Sequence, residues 1–187
     1  TLTFGTAGTG GFGIRNDSVG SFSSYHQIVT TIFMILFGIN FNAYYFILLG
    51  KAKAAFKIEE VRGYLAIIGV ATLAIAVNIY HMYGSLAETL RHAAFQVASI
   101  ITTTGYTTTD FNQWPEVSRT ILVILMFIGA CAGSTGGGIK VSRILILLKT
   151  VKKEIGQYLH PKNVKKIKMD GKSIEHEVVR STNVFMM

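Results

Sequence analysis

The amino-acid sequence predicts an all-α membrane protein built from repeated helix–pore-loop–helix units. Its 187 residues are 50% hydrophobic and 15% charged, with a mean hydropathy of +0.42, whereas about a quarter of the residues of a soluble domain are charged. The apolar residues form long blocks, and three blocks reach the roughly 20 residues that a helix needs to cross a bilayer. A short polar strand with a central glycine precedes two of these blocks, and this repetition predicts pore loops.

The apolar blocks and the basic residues beside them predict a multi-pass protein of the plasma (inner) membrane. The expected spans run from Ile28 to Gly50, from Gly63 to Tyr83 and from Thr120 to Lys149. Basic residues cluster in the loop 51–62 and again from Lys149 onward, and cytoplasmic loops are enriched in Lys and Arg. Both clusters fall on one side of a three-span topology, which we expect to be cytoplasmic. We therefore assign the net charge of +8 to the membrane and not to nucleic acid.

The repeated units divide the chain into four expected parts. In chain order these are a filter strand with the second span of one unit (1–50), a cytoplasmic loop (51–62), a complete unit of span, pore helix, filter and glycine-broken span (63–149), and a basic cytoplasmic linker toward a missing unit (150–187). Because the chain starts in the middle of a unit, we expect it to be a piece of a longer protein.

A re-entrant pore helix is expected between the second and third spans. The segment from Ser85 to Ile101 is amphipathic and somewhat short for a full span, and Ser85 with Glu88 three residues later fits a capping box. The following residues, 102–110, are too polar for lipid. Such backbone is tolerated at membrane depth only where protein or water surrounds it, so this segment predicts a pore loop on the outer side.

Two strands in equivalent places are candidate ion-binding sites. Potassium channels replace the hydration shell of K⁺ with backbone carbonyls of a Thr-Val-Gly-Tyr-Gly strand. The expected filter residues here are Thr9, Gly10, Gly11 and Phe12 in the first strand and Thr103, Thr104, Gly105 and Tyr106 in the second. The two central glycines can adopt backbone angles closed to other residues, and the threonine hydroxyls can add ligands at the inner end. A polar turn and a flexible loop are the alternative, and the repetition behind a re-entrant helix favours the filter.

A glycine-rich run inside the third span is a candidate gate. Five glycines between Gly129 and Gly138 cannot form a stable helix, since each costs about 1 kcal/mol relative to alanine. An unwound segment below a filter can swing across a pore, and charges at membrane depth are functional candidates. The expected gate residues are Gly133, Ser134, Thr135, Gly136, Gly137, Gly138 and Lys140. Close helix packing is the alternative explanation for the glycines, and Arg143 is expected to snorkel to the inner surface.

Other polar residues give weaker or negative signals. Asn40 and Asn42 lie in the middle of the first span, where they either bond to the unwound loop or to another helix. His81 and His92 are expected near the outer mouth as interfacial residues. Two glycine-rich runs resemble nucleotide-binding motifs but lack their flanking residues. Neither a nucleophile–base pair nor a metal-ligand spacing is recognisable, so the sequence predicts neither an enzyme nor a cofactor.

Two stretches, GACAGSTGGGIKVSRILILLK and TTTGYTTTDFNQWP, resemble the third repeat of the Trk family of potassium uptake transporters. TAGTGGFGIRNDSVGS resembles the second repeat, and LHPKNVKKIKMDGKSIEHEVV resembles the linker to the fourth. The resemblance implies four repeats around one pseudo-fourfold pore that transports K⁺, with the glycine run as its gating loop. It also implies a homodimer with a cytosolic nucleotide-binding regulatory subunit on the basic face, although anionic lipid explains that charge equally well. A sodium-preferring or weakly selective transporter of the same fold is the alternative function, followed by a non-conducting scaffold subunit.

Overall fold

The computed structural model describes residues 1–159 and 167–186. In this part of the chain the structure is mainly helical, with one short hairpin. The helices, in chain order, are α1 (Leu2–Ala7), α2 (Ser24–Phe37), α3 (Phe41–Leu48), α4 (Ala52–Lys57), α5 (Glu59–Ile79), α6 (Leu86–Ile101), α7 (Glu116–Ile128), α8 (Val141–Leu159) and α9 (His176–Met186). Short 3₁₀ turns occupy Tyr80–Met82 and Phe111–Gln113. The hairpin pairs β1 (Lys168–Met169) antiparallel with β2 (Lys172–Ser173).

Helix α5 is the central element of the core, since it packs against α6, α7 and α8. Its buried residues recur at helical spacing, including Tyr64, Ile68, Ala71 and Ile75, as expected for a helix that buries one face. Two glutamates stand in its first turn, where negative side chains are favoured by the helix dipole. Together with the 3₁₀ turn it forms an apolar segment, Glu59–Met82, which by length and composition suits a membrane span.

The pore helix predicted between the second and third spans is present as α6, and it ends in the expected place before Thr102. Its capping box is wrong, because the Ser85 side chain makes no capping hydrogen bond. Glu88 faces the next turn of the same helix, where Arg91 lies 3.6 Å from its carboxylate. The opposite side of α6 is almost wholly buried between α2, α5 and α7, so that a half-length helix is held inside the protein.

The first predicted span, Ile28 to Gly50, is not one straight helix. Helices α2 and α3 meet at an angle of 92°. The break lies at Gly38, where an added Cβ would lie 2.1 Å from the Tyr64 hydroxyl, so the backbone passes closer to α5 than a side chain would allow. Asn40 then caps α3, since its side chain accepts a hydrogen bond from the Asn42 backbone N–H. The sequence could not reveal this bend because both halves are apolar.

The third predicted span, Thr120 to Lys149, is broken where the glycines predict. Helix α7 ends at Ile128, a non-helical loop runs from Gly129 to Lys140, and α8 continues to Leu159, well beyond the expected end at Lys149. Within the described residues, the segment Glu59–Met82 is long and apolar enough to cross a membrane by itself. The bent pair α2 and α3 is long and apolar enough only when both helices are taken together. Helix α7 is 13 residues long, too short to cross a bilayer alone.

The described part of the tail packs against the start of α5. The Asp170 carboxylate accepts a hydrogen bond from the Glu59 N–H at 2.7 Å, and Lys149 pairs with the Glu59 carboxylate. Helix α9 packs along α8, where the Arg143 guanidinium lies 4.1 Å from the centre of the Phe185 ring. A hairpin and a helix thus occupy the expected basic linker, whose basic residues within 160–166 lie outside the described residues.

We expect Gly38→Ala to destabilise the protein because the added methyl group would clash with Tyr64 and with the Thr102 methyl group 2.9 Å away. Overpacking of this kind costs about 1–3 kcal/mol. The melting temperature of the purified protein in detergent measures the effect. Gly69→Ala is the matched control, since nothing lies within 4 Å of its added Cβ. Equal melting temperatures for the two variants would contradict the described close approach.

Candidate functional site

The two predicted filter strands are held by the same backbone hydrogen bonds. In the second strand the Thr104 and Gly105 N–H groups donate to the Ser99 carbonyl at 2.9 and 3.3 Å. In the first strand the Gly10 and Gly11 N–H groups donate to the Gly5 carbonyl at 2.9 and 3.5 Å. Each strand therefore folds back on the end of the short helix before it, α6 or α1. The register agrees with the repeat predicted from the sequence.

Backbone angles alternate in the same way in both strands. The φ angles are +48° at Thr9 and +65° at Gly11, and they are +58° at Thr103 and +86° at Gly105. Positive φ is common for glycine but unfavourable for threonine, whose β-branched side chain strains it. The strain at the two threonines recurs at equivalent positions, and strained backbone of this kind persists only where the surrounding structure fixes it.

The first three N–H groups of each strand donate to the helix before it, but most carbonyls of the strand accept no hydrogen bond. Among the described residues, the first three carbonyl oxygens of each strand accept no hydrogen bond; these are the carbonyls of Thr9, Gly10, Gly11, Thr103, Thr104 and Gly105. The fourth carbonyl differs, since Phe12 accepts from the Tyr106 hydroxyl at 3.2 Å and Tyr106 accepts from the Ser99 hydroxyl at 2.6 Å. Six oxygens are thus available to an external ligand.

The two strands lie against each other. A Cβ at Gly11 would lie 1.9 Å from the Thr104 carbonyl oxygen, so only glycine permits this approach. The Tyr106 ring is fully buried, and its hydroxyl bridges to the first strand. Beyond the strands, the Val19 N–H donates to the Thr107 carbonyl at 3.0 Å and the Thr107 N–H donates to the Ser18 hydroxyl at 3.1 Å. These contacts combine two units that are distant in sequence into one site.

The turn after each strand is polar and internally bonded. In the first turn the Ser21 hydroxyl beside Asp17 lowers the pKa of that carboxyl, which is therefore charged at neutral pH. Arg15 donates to the same hydroxyl at 2.5 Å. After the second strand, Thr108 lies 2.9 Å from the Nδ1 atom of the buried His92. His92 therefore connects the pore helix to the segment after the filter, while His81 lies exposed in the 3₁₀ turn after α5.

The glycine loop from Gly129 to Lys140 contacts both strands directly. The Thr9 hydroxyl donates to the Thr135 carbonyl at 3.0 Å, and the Gly137 N–H donates to the Thr103 hydroxyl at 2.7 Å. These two hydroxyls are among those predicted as ligands at the inner end of the filter. The Gly136 backbone lies close to the end of the pore helix, since an added Cβ would be 3.2 Å from the Thr102 carbonyl oxygen. The loop thus packs against the threonine end of both strands.

The same loop satisfies the break between α2 and α3. The Cys131 N–H donates to the Gly38 carbonyl at 3.1 Å, and the Phe41 N–H donates to the Gly133 carbonyl at 3.0 Å. Thr135 also donates to the Phe37 carbonyl, through its N–H at 3.4 Å. The glycine loop and the break between α2 and α3 belong to different units, and each provides hydrogen-bond partners for backbone groups of the other. Buried backbone groups require such partners.

Lys140 and Arg143 both bond to the loop backbone. Lys140 has a φ of +85°, and its ammonium group donates to the Gly136 carbonyl, so it folds back over the loop that it ends. Arg143 lies one turn into α8 and donates to the Ile139 carbonyl at 3.4 Å. Its guanidinium also lies over the Phe185 ring of α9, so it contacts the tail, and its snorkelling to the inner surface stays a prediction.

Sequence reasoning missed Glu60, which is 4% exposed. Its Oε1 atom accepts from the Ala132 N–H at 2.6 Å and the Ser142 N–H at 3.2 Å, and its Oε2 atom accepts from the Asn40 amide at 3.2 Å. The expectation for Asn40 left two partners open, and the partner is this glutamate on a neighbouring helix. The only available signal was an acidic pair at the end of a basic loop, which is common at helix starts.

We expect Tyr106→Phe to lower the melting temperature, because it removes the hydroxyl that bonds to the Phe12 carbonyl and, at 3.4 Å, to the Leu2 carbonyl. Such bonds contribute about 0.5–1.5 kcal/mol each. Tyr45→Phe is the control because that side chain is 60% exposed. Thermal melting of the purified variants measures the difference, and an unchanged transition in Tyr106→Phe would argue against the cross-strand contact.

Comparison with known proteins identifies the family. The family model described as "TrkH: Cation transport protein" matches residues 3–187. The chain is 34% identical over 185 residues to the Trk system potassium uptake protein TrkH of Salmonella typhimurium, covering 96% of this chain and 38% of that protein. It is 33% identical to the Trk system potassium uptake protein TrkG of Escherichia coli, covering 94% of this chain and 37% of that protein.

A solved structure of the same family matches the fold of this chain. The crystal structure of the potassium transporter TrkH from Vibrio parahaemolyticus matches with a TM-score of 0.91 at 34% identity, over 98% of this chain and 41% of that chain. The chain therefore spans about two fifths of the length of the relatives that it matches, and it has their helix and pore-loop architecture. It belongs to the TrkH family of cation transport proteins, which are membrane proteins.

Proposed function

We propose that the chain forms two of the units that line a pore for K⁺ across the plasma membrane, as the resemblance to four-repeat Trk transporters implies. The proposal is carried by one observation, the matched pair of strands whose first three carbonyls accept no hydrogen bond among the described residues. The relatives named above are potassium uptake proteins, which agrees with this cargo.

The filter residues in this proposal are Thr9 to Phe12 and Thr103 to Tyr106. A carbonyl oxygen replaces one water of a weakly hydrated cation if it is held in place before the ion arrives. The hydrogen bonds from the strand N–H groups to Gly5 and Ser99 supply that rigidity. The partial negative charge at the end of α6 adds a favourable field for a cation. The carbonyls of Phe12 and Tyr106 are already hydrogen-bonded, so we assign them a weaker role.

The gate in this proposal is the loop from Gly133 to Lys140. Its support is the contact of Thr135 and Gly137 with the threonine hydroxyls at one end of both strands. A backbone segment there obstructs the path of an ion that leaves the filter at that end. Opening would require the loop to exchange these few hydrogen bonds for others, which its glycines permit.

The topology in this proposal is multi-pass, with the loop 51–62 and the tail both cytoplasmic. The hydrogen bond between Asp170 and the Glu59 N–H, and the ion pair between Glu59 and Lys149, support one side for both, because they join the two segments directly. The basic surface there suits anionic lipid or the nucleotide-binding regulatory subunit that the family resemblance implies, and the same resemblance supports a homodimer.

We expect Gly105→Ala in the intact protein to lower the K⁺-over-Na⁺ permeability ratio by about tenfold. The φ of +86° at Gly105 costs a residue with a Cβ about 1–2 kcal/mol, which distorts the strand even though nothing lies within 4 Å of the added atom. Reversal potentials of reconstituted protein measure the ratio, with Gly69→Ala as control. A wild-type ratio near one would favour the weakly selective alternative, and unchanged uptake in a bulky Gly105 variant would favour the scaffold.

We expect Gly136→Ala to raise K⁺ flux under resting conditions several-fold without changing the permeability ratio. The added methyl group would lie 2.5 Å from the Ala130 Cβ, which destabilises the loop in its described position. Rubidium uptake into vesicles measures the flux, and Gly156→Ala is the control because its added Cβ meets nothing within 4 Å. Reduced flux in a normally folded variant would contradict this prediction, because it would mean that the protein conducts with the loop in the position seen in the structure.

A further inference from the structure

We propose that Glu60 is the fixed anchor of the gating loop, a positioning residue that holds both ends of the loop while its middle part moves. The inference rests on the proposed function of the loop as a gate. Its basis is the buried carboxylate that accepts hydrogen bonds from Ala132 near the start of the loop and from Ser142 just after its end. One side chain thus fixes two points of the chain that are ten residues apart.

The chemistry of the site explains why a carboxylate stands there. Ser142 is the second residue of α8, and the first N–H groups of a helix have no partner within it. Lys140 precedes α8 and Val141 is its first residue, and neither side chain has an oxygen that could cap the helix. A negative group at a helix start is favoured by the helix dipole. Glu60 therefore caps α8 from a different helix, which makes the start of α8 depend on α5.

A third donor extends the anchor to the first unit. The Asn40 amide donates to Glu60 at 3.2 Å, and a Cβ on Gly133 would lie 3.4 Å from the Asn40 oxygen. Glu60 thereby joins α5, α8, one end of the loop and the bend between α2 and α3. Hydrogen bonds to charged groups are stronger than neutral ones, and removing the acceptor leaves buried donors unsatisfied. The contacts from Ala132 and Ser142 are consequently more costly to break than the neutral hydrogen bonds of the loop.

The middle of the loop contacts the surrounding protein through weaker hydrogen bonds. Ser134 donates to the Cys131 carbonyl and the Lys140 ammonium donates to the Gly136 carbonyl, but both of these contacts lie within the loop. Thr135 and Gly137 reach the filter threonines through neutral hydrogen bonds. The loop therefore has a strongly held base near Ala132 and Ser142 and a loosely held tip from Ser134 to Gly137. Motion of the tip about a base fixed by Glu60 is the gating movement that this arrangement supports.

The test uses the intact protein in proteoliposomes with two independent measurements. A single thiol is placed at the tip by Ser134→Cys in a background with Cys131→Ala and with any other cysteine of the intact protein replaced. Its rate of modification by a methanethiosulfonate reagent reports exposure of the tip. Resting K⁺ flux and the K⁺-over-Na⁺ ratio report transport. Glu60→Ala is compared with Glu116→Ala, which removes an exposed carboxylate of α7 that pairs only with Arg119 among the described residues.

We expect Glu60→Ala to raise both the labelling rate and the resting flux by about tenfold, since the loss of charged hydrogen bonds is worth at least that factor. The permeability ratio stays at the parent value, and Glu60→Gln, which keeps one acceptor oxygen, falls between parent and alanine. Labelling and flux at the parent rate in folded protein would overturn the anchor, as would a changed permeability ratio. If Glu60→Ala does not fold, Glu60→Gln decides by the same two rates. If the parent carries no K⁺, the proposed function fails, and the labelling rate alone still tests the anchor.

Discussion

The site depends on the return of each strand's N–H groups to the end of the helix before it. Because Ser99 and Gly5 each accept two of these groups, the peptide planes of both strands are turned so that their N–H sides face the protein. Because a trans peptide has its carbonyl opposite to its N–H, the carbonyl sides then face away from the helices, and the Thr104 carbonyl oxygen lies beside Gly11 of the other strand. This single constraint explains the positive φ angles at alternate residues and the need for glycine at the closest approach.

In the proposed pore, the threonine hydroxyls link ion binding to the loop. The Thr103 hydroxyl accepts from Gly137 and donates to the Thr102 carbonyl at 2.6 Å, and an oxygen in this state retains a lone pair for a cation. The Thr9 hydroxyl donates its proton toward the Gly8 and Thr135 carbonyls, which also leaves its lone pairs free. Both groups can therefore contact an ion and the loop at once. In the proposed function, displacement of the loop would change the electrostatic field at the inner end of the filter and would thereby couple ion occupancy to gating.

The sequence predicts local features of this protein well and long-range partners poorly. The broken third span, the pore helix before Thr102 and the strand register all follow from composition and repetition, which are visible in single segments. The bend at Gly38 and the buried contacts of Glu60 do not, because they depend on which helix lies beside which. A lone glycine in an apolar block and a glutamate at the end of a basic loop are ordinary features until the fold brings Tyr64 or Ala132 next to them.

The glycines of the loop fall into two groups with different surroundings. Gly129 and Gly138 form a neck, since an added Cβ at either would lie within 2.7 Å of the other residue's Cα. These two glycines permit packing and have φ angles of +73° and +82°. Gly136 and Gly137 instead lie at the tip, against Thr102 and Thr103. A closed neck means that the tip cannot unwind into an extension of α7 or α8 without separating the neck. Under the proposed gating function, the motion of the tip is therefore that of a compact loop about a fixed base, and not that of a helix that kinks and straightens.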